Sequence, residues 1–120
     1  MLLAEDEPAV RQLARRVLVR AGYAVVEAED GLAALEAMDG DAPHVDLLVT
    51  DLVMPRMGGR ELARTLREAR PGLRVLYMSG YADSDRELAL DSAEAFLEKP
   101  FDPATLAGKV DALLRSGKAG

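Results

Sequence analysis

The stretch Val45-Asp46-Leu47-Leu48-Val49-Thr50-Asp51-Leu52-Val53-Met54-Pro55 decides how this chain is read. It opens as a short, nearly unbroken apolar run with β-branched residues, the pattern of a strand buried on both faces. It then breaks at Asp51 and leaves through a proline-marked loop. Asp51 therefore stands at the mouth of a buried strand, where a carboxylate is held rigid yet reached from solvent. Similar runs occur at residues 2–4, 23–28, 73–78 and 93–97, bounded by acids, glycine or proline.

Helical patterns fill the gaps. Val10, Leu13, Ala14, Val17, Leu18 and Ala21 repeat at i, i+3, i+4, i+7, i+8 and i+11, with Pro8 suited to the first turn and Gly22 to the C-terminal cap. Further helices are expected at 31–39 (Leu32, Leu35, Met38), 59–70 (Leu62, Leu66, Ala69) and 103–115 (Leu106, Val110, Leu113, Leu114 inward). A short polar helix at 84–91 is the weakest in pattern, because Leu88 and Leu90 form no stripe. Strand–helix alternation of this kind means an α/β fold with a parallel sheet and helices on both faces. The run 23–28 contains Glu27 and is the expected edge strand. The tail 116–120 reads as a flexible end or linker stub.

Composition narrows the function. A chain of 120 residues, 49% hydrophobic, is one domain with a core to bury. Its net charge of −6 argues against a nucleic-acid surface and suits a site that attracts cations. The absence of cysteine excludes disulfides and thiolate metal sites. No apolar run approaches the roughly 18 residues of a membrane helix, and the acidic start is unlike a signal peptide. A cytoplasmic protein is the expectation.

Ligands of open parallel sheets bind outside the carboxyl ends of the strands. Those ends supply Glu5 and Asp6, Asp51, Ser79 and Lys99; Glu29-Asp30 would be held away at the sheet edge. Converging carboxylates need a cation among them. Mg²⁺ commonly takes one or two carboxylates, waters and a phosphate oxygen. Lys99 adds a fixed positive charge and Ser79 a hydroxyl, a set suited to a phosphoryl group. Asp51, the central acid, is the candidate nucleophile for an aspartyl-phosphate.

The acidic pair Glu5-Asp6, the segment Thr50-Asp51-Leu52-Val53-Met54-Pro55 with Gly59 beyond it, Met78-Ser79-Gly80 and Glu98-Lys99-Pro100-Phe101 resemble the receiver domain of two-component response regulators. The Ser79-Gly80-Tyr81 and Lys99-Pro100-Phe101 segments are especially similar to receiver domains of hybrid histidine kinases. The resemblance implies a flavodoxin-like, doubly wound, five-stranded sheet of order 2-1-3-4-5 with five helices, spanning residues 1–116 with 117–120 as the tail. It implies a phosphoacceptor switch that takes a phosphoryl group on Asp51 from a histidine kinase or histidine phosphotransfer domain. It is then a signalling domain, not an enzyme beyond its own phosphoryl transfer and self-dephosphorylation. Carried over residue by residue, Asp6, Asp51 and the backbone carbonyl of Val53 would hold Mg²⁺ (or Mn²⁺), with Glu5 acting through water. Lys99 would pair with Asp51 or its phosphate, and its peptide bond to Pro100 would be cis. Ser79 and Phe96 would be the switch pair, read by an output partner on the face of the fourth helix (84–91), fifth strand and fifth helix. Neither nucleic acid nor membrane is expected as a direct partner. Glu5 stands where aspartate is commoner, Ser79 where threonine is, and the span from Ser79 to Lys99 is short for the family.

Blander readings apply to single residues. Glu5, Asp6 and Glu7 could simply favour the dipole of the helix starting near Pro8, Ser79 could be a turn residue, and Phe96 belongs to the core in any case. His44 reads as surface, and Met54 and Met57 as loop packing. A phosphohydrolase would need a second acid at Val53, a flavin carrier more than the five aromatics present, and a pseudo-receiver docking module would not need the complete acid–hydroxyl–lysine set. With neither acid nor amide at Val53 or Tyr81 to orient water, slow self-dephosphorylation is expected.

Overall fold

In the computed structural model, residues 1–38, 45–80 and 93–119 are described, with side chains to residue 115. The strands are β1 (Leu2–Ala4), β2 (Val26–Ala28), β3 (Leu47–Asp51), β4 (Arg74–Ser79) and β5 (Glu94–Glu98). The described helices are α1 (Pro8–Arg20), α2 (Gly31–Ala37), α3 (Gly59–Ala69) and the last helix, labelled α4 here (Pro103–Ala119). The helix expected at 84–91, together with His44 and Tyr81, lies outside the described residues.

The five strands form one sheet in the order β2-β1-β3-β4-β5, every neighbouring pair parallel. β2 is an edge strand, as its mixed pattern implies, and β5 is the other. β2 is shorter than the apolar run 23–28, because Tyr23 still belongs to the end of α1: its N–H donates to the Leu18 carbonyl at 3.1 Å. Gly22, just past that helix, takes φ +99°, a left-handed conformation that glycine adopts without a Cβ penalty.

Strand residues alternate between two cores. Leu2, Ala4, Leu48, Val75 and Tyr77 face α2 and α3, where Ala34, Met38, Leu62, Ala63 and Leu66 meet them. Leu3, Leu47, Val49, Leu76, Met78 and Leu97 face α1 and α4, against Ala14, Leu18, Leu106, Val110 and Leu113. The central strands are therefore buried on both faces, apolar through residues 47–49 and 75–78 with polar residues towards their ends, whereas the helices bury only one stripe.

Those stripes are narrower than the sequence pattern. On α1 only Ala14 and Leu18 are fully buried, and Leu13 remains 39% exposed. On α2 it is Gly31 and Ala34 that are buried while Leu32 faces solvent. Short helices crossing a sheet offer it a few small residues at closest approach, and the larger side chains lie on the flanks. Ala69 on α3 is likewise exposed. The last helix continues through Ala119 rather than ending near Arg115, since Ser116-Gly117-Lys118-Ala119 holds no proline to stop it.

Candidate functional site

The parallel register brings the carboxyl ends of β1, β3, β4 and β5 to one edge. Asp51 closes β3 opposite Met78, and Ser79 closes β4 opposite Glu98. The loops then cross-link: the Leu52 N–H donates to the Met78 carbonyl at 2.9 Å, and the Lys99 N–H to the Ser79 carbonyl at 2.8 Å. Backbone pairing alone thus draws residues far apart in sequence into one crevice.

Glu5, Asp6 and Asp51 form its acidic wall, each offering a carboxylate oxygen within 4.8 Å of the others. Glu5 is fully buried and Asp51 is 7% exposed, while Asp6 is the most open to solvent. Lys99 lies among them. Its Nζ is 3.2 Å from Asp51 Oδ2, 3.0 Å from Glu5 Oε2 and 3.1 Å from Glu5 Oε1, to which it donates a hydrogen bond. The Glu7 N–H also donates to Glu5 Oε1 at 3.2 Å, and Arg11 Nη1 holds the Glu5 carbonyl at 2.7 Å. The bond between Lys99 and Pro100 is cis, the isomer that the resemblance implies.

The charges are poorly balanced. Burial pushes the Glu5 carboxyl above its ordinary pKa, the Lys99 hydrogen bond opposes this, and the Asp51 charge adds to it. Burial likewise raises Asp51, against the Lys99 charge and with the help of Asp6. For Lys99 burial works against the charged form, but the hydrogen bond and charge of Glu5, with Asp51, outweigh it and raise its pKa. One cation is shared by more than one anion.

Whether a metal fits this place is answered by its donors. Glu5 Oε2 is buried without a hydrogen bond; its contact with Lys99 is one of charge alone. All the side-chain donors are oxygens, the ligands that hard divalent cations take. The residues present suit Mg²⁺.

Of the remaining candidates, Ser79 is buried at the end of β4, with its backbone tied to Lys99. Val53 is 68% exposed in the loop after Asp51. Phe96 sits mid-strand in β5, opposite Tyr77, partly buried against the α2–α3 core and not in the crevice. Met54 is buried and Met57 half-buried, the packing roles expected of them.

Two residues carry more than their sequence suggested. Asp30 caps α2, its Oδ1 accepting from the Ala33 N–H at 2.8 Å, and binds Arg56 of the loop after β3. The Asp30-Gly31 pair ahead of a helix signals the cap. Nothing in the sequence around Arg56 signals its partner.

The class of protein is now defined: a doubly wound α/β domain with an acidic, lysine-bridged site at the carboxyl edge of its sheet. The chain belongs to the response regulator receiver domain family of two-component signalling, whose model matches residues 1–111. It is 43% identical over 116 residues, 95% of its length, to the sensor kinase CckA of Brucella abortus, of which it spans 12%. It covers about half the length of the response regulators it also matches. The crystal structure of the receiver domain of hybrid histidine kinase CckA superimposes with a TM-score of 0.78 at 38% identity, over 93% of this chain and 96% of that one. The response regulator TrrA of Thermotoga maritima, solved in complex with Mg²⁺–BeF, gives a TM-score of 0.78 at 29% identity, over 93% of this chain and 96% of that one. Among the described residues no helix is long and apolar enough to cross a membrane.

Proposed function

We propose that Asp51 is the phosphoacceptor of this receiver domain, with Asp6, Asp51 and the Val53 carbonyl holding Mg²⁺ and Glu5 supporting it through water. The observation that carries the reading is the position of Lys99, its ammonium 3.2 Å from Asp51 Oδ2 in a crevice walled by Glu5 and Asp6. Support also comes from the Mg²⁺–BeF complex of the TrrA relative.

An Asp51 carboxylate oxygen attacks the phosphorus of a phosphohistidine. The new O–P bond forms as the N–P bond breaks, and the imidazole leaves with the electron pair and takes up a proton. Mg²⁺, when bound, neutralises charge on the phosphoryl oxygens, which is most of what such transfers require. Lys99 contributes the same on the other side. It already lies between Asp51 and Glu5, so it can follow the charge from carboxylate to phosphate without leaving its pocket. Ser79, buried at the adjoining strand end, supplies a hydroxyl donor to the new acceptor oxygens. Phe96, one strand over, is the packing element that answers the hydroxyl's movement.

The donor is a histidine kinase or a histidine phosphotransfer domain, and the output is read on the face of β5 and the last helix. The only chemistry ascribed to the domain is its own phosphorylation and slow dephosphorylation. Incubation with a small acyl-phosphate donor and Mg²⁺ should add one phosphoryl mass to the protein. No gain, or a gain that persists in Asp51→Asn, would exclude the assignment.

A further inference from the structure

In the reading above the loop 52–58 presents the Val53 carbonyl beside Asp51, yet Val53 itself is 68% exposed, so burial of its side chain does little to fix it. Its position is therefore set by how the loop is anchored elsewhere. At its ends the anchors are backbone: Leu52 N–H to Met78 carbonyl at 2.9 Å and Gly59 N–H to Leu52 carbonyl at 3.0 Å. Its middle is held by Arg56. The Arg56 Nε donates to Asp30 Oδ2 at 2.7 Å and Nη2 to Asp30 Oδ1 at 2.9 Å, a planar two-pronged bond.

This pair is unlike an ordinary surface ion pair, in which both groups are solvated and the net effect is small. Asp30 is only 4% exposed, and its carboxylate is already committed to the α2 cap. The Arg56 bond, with the Ala33 N–H, holds the Asp30 carboxyl below the usual range. Arg56 adopts φ +68°, and among the described residues it is the only non-glycine with a positive φ. Asparagine or glycine would take that conformation at less cost, so arginine here is favoured by its reach rather than by its backbone. Beside it, Met57 lies so close to α2 that a Cβ on Gly31 would come within 2.6 Å of the Met57 Cβ and carbonyl oxygen.

We propose that Asp30 and Arg56 are positioning residues, a strut between the start of α2 and the 52–58 loop that holds the Val53 carbonyl in place for the cation beside Asp51. The inference rests on the cation site proposed above. It gives the α2 cap, 26 residues from Arg56 in sequence and outside the acidic crevice, a hold on that site through the loop.

The test compares the wild-type protein with Arg56→Asn, Asp30→Asn and the double variant. Asparagine suits a left-handed residue at 56 and still caps a helix at 30, so neither change should cost the fold. Mg²⁺ affinity is read by NMR titration, and exchange of the Met57 and Gly59 amides in metal-free protein by hydrogen–deuterium exchange. Arg56→Asn should bind Mg²⁺ roughly tenfold more weakly, the usual effect of removing a group that holds a metal ligand in place. Its loop amides should exchange faster, and the double variant should bind Mg²⁺ no more weakly than Arg56→Asn alone. Wild-type affinity in Arg56→Asn, or losses that simply add in the double variant, would overturn the strut while leaving the cation site standing. A wild-type protein that does not bind Mg²⁺ would remove the cation site, and the strut's role with it.

Discussion

Replacing Asp51 by asparagine should make the metal-free protein more stable, although it removes an ion pair. The reason lies in the arrangement of charge. Asp51 stands within 4.8 Å of carboxylate oxygens on both Glu5 and Asp6, and 3.2 Å from the Lys99 ammonium. With an effective dielectric of about 20, each like-charge contact at that separation costs about 3.5 kcal/mol and the lysine contact returns about 5 kcal/mol. Asparagine removes two repulsions and one attraction, a net gain of about 2 kcal/mol before the relief of burying an ion is counted. For a domain of this size that is a rise of roughly 8 °C in Tm. Lys99 is not stranded, because both oxygens of Glu5 remain within 3.1 Å. Melts followed by circular dichroism in EDTA at pH 7.5 measure the difference, and Mg²⁺ should then stabilise the wild type more than the variant. An Asp51→Asn protein no more stable than wild type in EDTA would refute the reasoning that the site is a strained cluster relieved by a cation.

The same imbalance sets a pH dependence. Glu5 and Asp51 both have pKa values raised in the fold, so their protonation favours the folded state. Their contribution should be fully present below ordinary carboxylate values near pH 4 and lost as pH rises through the raised values. Urea titrations in EDTA should show stability falling as pH rises above the ordinary carboxylate range, with the slope reduced in Asp51→Asn. Lys99→Met should cost about 3 kcal/mol in the same titrations by leaving buried carboxylates without their cation, and Glu5→Gln should recover part of the loss. Gly59→Ala places a Cβ on the Asp51 carbonyl oxygen, and should lose about 3 kcal/mol by urea unfolding through overpacking. Val53→Asn puts an amide beside the phosphoryl group proposed on Asp51 and should shorten the phosphoprotein's lifetime, measured by mass spectrometry after removal of the donor; an unchanged decay would count against the lack of a water-orienting group as the cause of slow loss.

The alternation of apolar runs and helical stripes was sufficient to call for a parallel sheet, and Glu27 within 23–28 correctly marked an edge strand. The acids and lysine were legible for a related reason. Residues that end buried strands are confined to one edge of the sheet, so Glu5, Asp6, Asp51 and Lys99 converge once the strands are recognised. Periodicity served less well for the helices. It marks which residues are apolar on one side but not how closely that side approaches the sheet, so Leu13 and Leu32 read as buried and are exposed.

By itself, then, the sequence determined the strands, their polarity and the chemistry of their ends, because these depend on local pattern and on the direction of the chain. Only the tertiary structure decided how the charges are shared: Lys99 against both Glu5 and Asp51, with Glu5 Oε2 left without a hydrogen bond. It alone joined Arg56 to Asp30, a bond between a loop and a helix cap from different parts of the chain. Such pairings depend on distances of a few ångströms set by how the loops pack over the sheet, and no spacing along the chain encodes them.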